Sequence, residues 1–370
     1  MLKIVHTGDI HLDSPFSGLD ARRAEIRKAE LRGTFSSLMT YVRMNSVDVL
    51  LIAGDLFDRG FVTRETLSII TREFSRVPGC RVVISPGNHD PYTQDSVYAR
   101  VKFPENVYIF KETTQTRFEF PEINCDIYGY AFTGESLGAS PVTATEQNGR
   151  VRLLCAHAHL DAPASPYAPV TTSQISAAGF DYAALGHVHN PSEPTEQGGC
   201  IIGYCGCLEG RGFDETGVKG AYCIEIGDDG SKTMRRLSFA HRRYESGTVS
   251  VTGATSSFDV KERIKSLIRE RKFSDDTLLR VTLTGEIQPS LVISPSIIAD
   301  GIDEVFAIEI RDATTPALDM EYLDSDPTVR GAFYRELKPR LYDPDPDVRQ
   351  TALRALRYGL AAMAGESIVD

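Results

Sequence analysis

At 370 residues the chain exceeds one ordinary domain, and 41% hydrophobic with 25% charged residues marks a folded globular protein rather than a disordered or fibrous one. A formal net charge of −11 excludes the broadly basic surface with which a protein grips long nucleic acid unaided, so any such binding must rely on a local patch, bound cations or a partner. No apolar run approaches the ~20 residues of a membrane helix, no signal-peptide pattern is read at the start, and seven cysteines without repeating spacing fit a reducing compartment, so the expected location is cytoplasmic.

Leu2 to Thr7 is an apolar, β-branched run and reads as the first strand, with Asp9 and His11 just beyond it. Leu19 to Asn45 reads as a helix, with Leu31, Phe35, Leu38, Met39 and Val42 at helical spacing. Its Arg22, Arg23, Arg27, Lys28 and Arg32 could touch phosphates, but alternating with Glu25 and Glu30 they are expected on a solvated face. Val47 to Ala53 is a second strand ending at Gly54-Asp55. Thr63 to Arg76 is a helix capped by Thr63, with Leu67, Ile70 and Phe74 turned inward. Val82 to Ser85 is a third buried strand, and Pro86-Gly87 then turns the chain so that Asn88, His89 and Asp90 arrive at one place. This β-α-β-α-β opening implies a parallel, doubly wound sheet.

After His89 the rhythm changes to short strands at 106–110, 115–120, 125–131, 151–156, 182–185, 199–204, 222–226 and 233–240, with Thr172 to Ala178 the clearest helix among them. A second sheet packed on the first is the economical arrangement, an α/β sandwich. Residues 247–313 read as strand, helix (Phe258 to Arg271), strand (Leu278 to Thr284), a short helix and strand (Val305 to Arg311), without a His or Cys. Beyond them Asp326-Pro327 and Asp345-Pro346 each look like a helix N-cap followed by Pro. The last helix sets Val348, Ala352, Ala355, Leu356, Gly359, Leu360 and Met363 on one face. The expected domains are therefore 1–243, a small α/β capping domain at 244–320, and a helical tail at 321–370.

Five strand ends carry metal-competent residues: Asp9 and His11, Asp55, Asn88, His157, and His187 with His189. Two divalent ions need a bridging carboxylate, imidazoles and oxygens for most other positions, and open positions for water and a phosphate oxygen. That requirement gives one ion Asp9, His11, Asp55 and His189, and the other Asp55, Asn88, His157 and His187. A water bridging them would be deprotonated near neutral pH and attack phosphorus in line. His89 is expected to act without ligating, protonating the leaving oxygen, with Asp58 or Asp90 orienting its ring. A mixed His/Asp/Asn set suits Mn²⁺, or Fe²⁺, better than Mg²⁺.

In that order, D-x-H, G-D-x-x-D, G-N-H-D, a His and G-H-x-H resemble the motifs of the calcineurin-like metallophosphoesterases. G-D-I-H-L-D, I-A-G-D-L-F-D, S-P-Y-A-P, D-Y-A-A-L-G-H-V-H and G-R-G-F-D-E-T-G-V-K-G are similar to the bacterial SbcD-type DNA-repair exonuclease subunits, particularly their YhaO-like branch. The resemblance is strong over residues 1–240 and looser beyond. It implies an α/β/β/α sandwich, a DNA nuclease working with an SbcC-like coiled-coil ATPase, a capping domain and a docking tail; a homodimer is left open. The sequence departs from relatives with Cys205-Gly206-Cys207 in place of a P-G-S, and with a doubled His157-Ala158-His159, of which His157 matches the ligand. The alternatives are a phosphodiesterase or phosphatase for a small molecule, which the acidic charge favours, and a non-catalytic scaffold, which the complete ligand set disfavours.

Several residues have plainer readings. His6 is expected to pack rather than ligate, and His159 to lie beside the site or in an exposed loop. The cysteines 200, 205 and 207 are expected to be buried strand residues. Arg211 and Lys219 are candidates either for phosphate contact or for holding a turn.

Overall fold

The computed structural model describes residues 1–58, 62–288 and 291–365. Its first half runs β1 (Leu2–Thr7), α1 (Ala21–Met44), β2 (Val49–Ile52), α2 (Arg64–Ser75), β3 (Arg81–Ile84), α3 (Val97–Arg100), β4 (Val107–Ile109), β5 (Thr116–Phe120), β6 (Cys125–Gly129), β7 (Val151–His157), α4 (Thr172–Ala178) and β8 (Tyr182–Gly186). It continues with β9 (Thr195–Gln197), β10 (Cys200–Tyr204), β11 (Gly220–Ile226), β12 (Lys232–Ser238), β13 (Arg243–Ser250), α5 (Ser257–Arg271), β14 (Thr277–Thr284), β15 (Glu286–Ile287), α6 (Pro295–Ala299), β16 (Ala307–Asp312), β17 (Thr315–Pro316), α7 (Met320–Ser325), α8 (Val329–Leu341) and α9 (Pro346–Ala364).

Two six-stranded mixed sheets form the body, in the orders β12-β11-β1-β2-β3-β4 and β5-β6-β7-β8-β10-β9. Strand periodicity explains why they stack. Along β2, Val49 and Leu51 turn to one side and pack with Ile127, Leu153, Cys155 and Ala184 of the second sheet. Leu50 and Ile52 turn the other way and pack under α1 and α2, on Leu31, Phe35, Leu38, Ile70 and Phe74. The outer face of the second sheet, with Leu154, Ala156, Ala183 and Leu185, is covered by Ile175 and Ala178 of α4. Because β2 and β3 are buried on both faces they are continuous apolar runs, as central strands of covered parallel sheets are. The layers are α/β/β/α, as expected from the sequence. β9, too short and polar to announce itself, is an addition.

Helix ends follow local chemistry. Thr63 caps α2 by accepting from the Thr66 N–H, and Thr171 with Gln174 forms a reciprocal capping box on α4. Asp345 caps α9 with Pro346 in its first turn. Asp326 does not cap the following helix as expected; it ends α7, and Thr328 caps α8. The basic stretch of α1 is a second correction. Arg27 is fully buried, donating to Glu30, Glu209 and the Gly210 carbonyl at 2.7, 2.6 and 3.0 Å, because Glu209 would otherwise be a buried unpaired charge. Arg22 and Arg23 remain exposed.

A separate three-stranded sheet, β13-β14-β16, carries its own core of Val249, Val260, Ile264, Leu279, Val281 and Leu283. The helical segment closes on itself: Leu356 and Leu360 of α9 bury against Leu323 and Tyr334. Ala352 on the same face of α9 is buried as well, and residues 366–370 lie outside the described residues. Among the described residues no helix is long and apolar enough to cross a membrane.

Candidate metal centre

The loops that leave β1 and β2 stay paired beyond the strands. Asp9 N–H donates to the Gly54 carbonyl at 3.0 Å, His11 N–H to the Asp55 carbonyl at 2.9 Å, and Leu12 N–H to the Leu56 carbonyl at 2.9 Å. This extension sets Asp9, His11 and Asp55 side by side. All three adopt left-handed backbone conformations (φ 48°, 50° and 50°), and His187 has φ 101°. Non-glycine residues rarely hold such angles unless surroundings impose them, and they gather at functional sites.

Glycines admit the close approach. A Cβ on Gly87 would meet Asp55 Oδ1 at 2.2 Å, and one on Gly54 would meet His157 Nδ1 at 2.3 Å. Asp90 braces the same loops: its carboxylate accepts from the N–H groups of Gly87 (2.8 Å), Asp55 (3.2 Å) and Phe57 (3.1 Å) and from the Tyr98 hydroxyl (2.5 Å). Burial and the Asp55 charge push its carboxyl up to about 7, against the pull of the Tyr98, Gly87 and Phe57 donors. Of the two residues expected to orient His89, Asp90 is therefore engaged elsewhere. Asp58 is the partner, with its Oδ1 3.0 Å from His89 Nδ1.

Around Asp55 the donor atoms converge. Its Oδ2 lies 3.6 Å from His11 Nε2 and 3.5 Å from His157 Nε2, while Oδ1 accepts from the His89 N–H at 2.9 Å. Burial opposes ionisation, but the neighbouring imidazoles of His157, His11 and His89 hold the carboxyl below its ordinary value. His11 Nε2 and His189 Nε2 are 3.4 Å apart, and His189 Nε2 is 3.8 Å from Asp9 Oδ1. His157 Nε2 lies 2.9 Å from Asn88 Oδ1 while its Nδ1 lies 3.1 Å from the Ala53 carbonyl.

These contacts test whether the residues fit a metal pair. A neutral imidazole has one N–H, so His157 cannot donate to both the Ala53 and the Asn88 oxygens. With the proton at Nδ1, Nε2 and Asn88 Oδ1 confront each other as two acceptors beside the Asp55 carboxylate. His11 and His189 likewise aim Nε2 atoms at one another. Donors bound to one ion at about 2.1 Å stand roughly 3 to 3.5 Å apart, and the separations here, 2.9 to 3.8 Å, bracket that spacing. The residues fit, and two triads, Asp9/His11/His189 with His189 partly exposed and the fully buried Asp9/Asp55/His157, each bring three donor atoms within 4.8 Å. A third, His11/Asp58/His89, adjoins them.

His187 is placed differently from the other candidates. Its backbone N–H donates to both Asp9 oxygens at 3.0 Å, but its ring belongs to none of these triads and packs on Tyr167, His159 and His157 with centroids 4.7, 5.0 and 5.2 Å away. Burial and the neighbouring histidines push its pKa down to about 3, so the ring is a neutral lone-pair donor. His159 sits beside the site with Nδ1 2.9 Å from Ser165 Oγ. His6 packs away from it against Tyr182. All seven cysteines are buried and unpaired.

The two basic candidates separate. Lys219 is fully buried and donates to the His189 carbonyl and Asn190 Oδ1, so it holds a turn and cannot touch phosphate. Arg211 does reach the site, with Nη1 3.9 Å from Asp58 Oδ2. The residue that sequence reasoning missed is Glu215, buried, with Oε1 2.6 Å from His189 Nδ1. It lies in the quoted G-R-G-F-D-E stretch, and the available signal was that a ligating His needs a partner for its other nitrogen.

The model of the calcineurin-like phosphoesterase family matches residues 2–191, the half of the chain that supplies all seven candidate ligands. The chain belongs to the calcineurin-like phosphoesterase family. It carries that family's dinuclear metal-binding site, with the candidate ligands described. The phosphoesterase is 27% identical over 314 residues to the uncharacterized metallophosphoesterase YhaO of Bacillus subtilis, covering 80% of this chain and 74% of that one. It is 24% identical to the DNA double-strand break repair protein Mre11 of Methanopyrus kandleri, covering 71% and 62%. It is 22% identical to a subunit of the SbcCD nuclease of Staphylococcus epidermidis, covering 60% and 65%. The latter two matches span less than two thirds of those proteins.

Proposed function

We propose that this phosphoesterase is the Mn²⁺-dependent nuclease subunit of a DNA-repair complex, with a nuclease domain at 1–243, a cap at 244–320 and a helical tail at 321–370. Asp9, His11, Asp55 and His189 would hold one ion, and Asp55, Asn88, His157 and His187 the other. The observation that carries the reading is the position of His89. Its ring is 30% exposed at the rim of the donor cluster and is held through Nδ1 by Asp58.

The chemistry a bound divalent pair supplies is Lewis acidity toward phosphoryl oxygens and activation of water. The chain's own residues do the rest. With Nδ1–H directed at Asp58, the His89 ring is fixed in orientation, so Nε2 can deliver a proton to the departing oxygen. The His89 N–H donates to Asp55 and so ties the acid to the ligand cluster. Arg211 adds a positive charge near Asp58 that favours an anionic phosphodiester.

DNA as substrate is supported by the two relatives named as DNA repair and nuclease proteins. The SbcC-like ATPase follows from the SbcD-type motifs, and it answers the need for a partner that the charge of −11 creates. That same charge favours the second reading, a small phosphodiester as the physiological substrate. End-labelled linear duplex digested with Mn²⁺, Fe²⁺ or Mg²⁺, with and without the ATPase, decides. Nucleotide release from duplex supports the nuclease; hydrolysis of bis-p-nitrophenyl phosphate with duplex left intact supports the small-substrate enzyme.

A further inference from the structure

Glu215 has no role in the proposal above, yet it is buried in contact with the site. Its Oε1 lies 2.6 Å from His189 Nδ1 and accepts from Arg211 Nη2 at 2.8 Å, while Oε2 accepts from the Arg211 N–H at 2.7 Å and from Cys207 Sγ at 3.5 Å. Four donors around one carboxylate keep it ionised and fixed. Arg211 then continues to Asp58, the partner of His89. One loop thus touches a candidate ligand, His189, and the carboxylate that holds the proposed acid, Asp58.

That loop is held by the capping sheet. Phe213, between Arg211 and Glu215, packs edge-on against Tyr244 of β13 with centroids 5.0 Å apart, and the Arg280 guanidinium of β14 lies 4.0 Å from its ring. The Gly217 N–H donates to the Tyr244 carbonyl at 2.9 Å.

We infer that Glu215 is a positioning residue: it keeps the His189 proton on Nδ1, so that Nε2 offers its lone pair to the cation shared with Asp9 and His11. Arg211 Nη2, which can only donate, also lies 3.1 Å from His189 Nδ1; the Glu215 contact is shorter at 2.6 Å and pairs the ring with an ionised acceptor, so it outweighs the guanidinium and sets the proton on Nδ1. It also makes the imidazole a more basic ligand. The inference rests on the reading that Asp9, His11 and His189 hold a metal.

The test is a Mn²⁺ titration by calorimetry of the full chain and of Glu215→Gln, Glu215→Asp and His189→Gln, with melting curves alongside. Glu215→Gln should lose about 10- to 100-fold in affinity at one of two sites and keep the other, with Glu215→Asp recovering part of the loss. Parental affinity at both sites in Glu215→Gln overturns the role of Glu215. Two equivalents still bound by His189→Gln overturns instead the metal reading itself. Should Glu215→Gln fail to fold, ¹⁵N spectra of the parent histidines with Zn²⁺ bound settle the matter, the His189 signals being identified by their loss in His189→Gln. A proton on Nδ1 supports the inference, and a proton on Nε2 overturns it.

Discussion

Replacing Asp90 by Asn changes almost no volume but removes a negative acceptor from the centre of the loops that carry Asp55 and Asn88. The carboxylate accepts from Asp55 N–H and Gly87 N–H on one oxygen, and from Phe57 N–H and the Tyr98 hydroxyl on the other. An amide has one acceptor oxygen, so either way round its NH₂ confronts at least one backbone N–H. The Tyr98 hydroxyl can rotate to accept; a backbone N–H cannot. One or two buried donors lose their partner, at about 1–3 kcal/mol each, while relief of the burial and Asp55 repulsion that lift the Asp90 carboxyl offsets part of that loss, so Asp90→Asn should cost roughly 1–3 kcal/mol. For a domain of this size that is a fall in Tm of roughly 2–12 °C. The measurement is thermal unfolding by circular dichroism at pH 8, where the carboxyl, pushed up to about 7, is ionised. Tyr98→Phe serves as the comparison; it removes one donor and leaves the carboxylate, so its loss should be smaller. Because Asp90 also holds Asp55 and Gly87, Mn²⁺ affinity should fall in Asp90→Asn and not in Tyr98→Phe. An Asp90→Asn protein that melts with the parent and binds Mn²⁺ equally would refute the bracing role.

Other outcomes follow from the same geometry. Asp55 lies between His11 and His157, so Asp55→Ala should lose both ions by elemental analysis, whereas His189→Ala should lose mainly one. His89→Ala should retain its metals and lower kcat on bis-p-nitrophenyl phosphate by roughly 10² to 10⁴; unchanged turnover would remove His89 from the mechanism. Burial pushes His6 down to about 3. The unfolded chain takes up a proton at this residue near pH 6.5 while the folded one does not, so stability is full above pH 6.5 and declines as pH falls toward 3. The difference is on the order of 4–5 kcal/mol, and His6→Phe should flatten that part of a denaturation-versus-pH curve. Leu356 is fully buried in the helical segment, so Leu356→Ala should loosen α7 to α9 by about 2–5 kcal/mol; increased proteolysis there with small-substrate turnover intact is the expected result.

Much of this was legible in the chain itself. The unbroken apolar runs of β2 and β3 point to strands covered on both faces, the run of short strands after His89 points to a second sheet, and the motif resemblance implies the α/β/β/α order. The candidate ligands are legible for a related reason. Strand ends followed by Gly-Asp or Pro-Gly-Asn-His must turn sharply at the sheet edge, and the polar residues there have nowhere to go but the common rim. Arg27 is an instance of what was not legible. Its neighbours on α1 alternate in charge as a solvated face does, and only Glu209, 182 residues away, makes it a buried ion pair. The amphipathic stripe of α9 is another. Periodicity shows that a face will be buried, but not whether its cover is another chain or, as at Leu356 and Leu360, the adjoining helices.

The sequence by itself determined the order of strands, the family and the set of metal-competent residues, because each of these is written in local spacing. Only the tertiary structure decided which second partners those residues take. Asp58 rather than Asp90 holds His89, Lys219 is buried under a turn, and Glu215 stands behind His189. The physical reason is that a hydrogen bond is selected by distance and direction among every donor the fold brings near, whatever their separation along the chain.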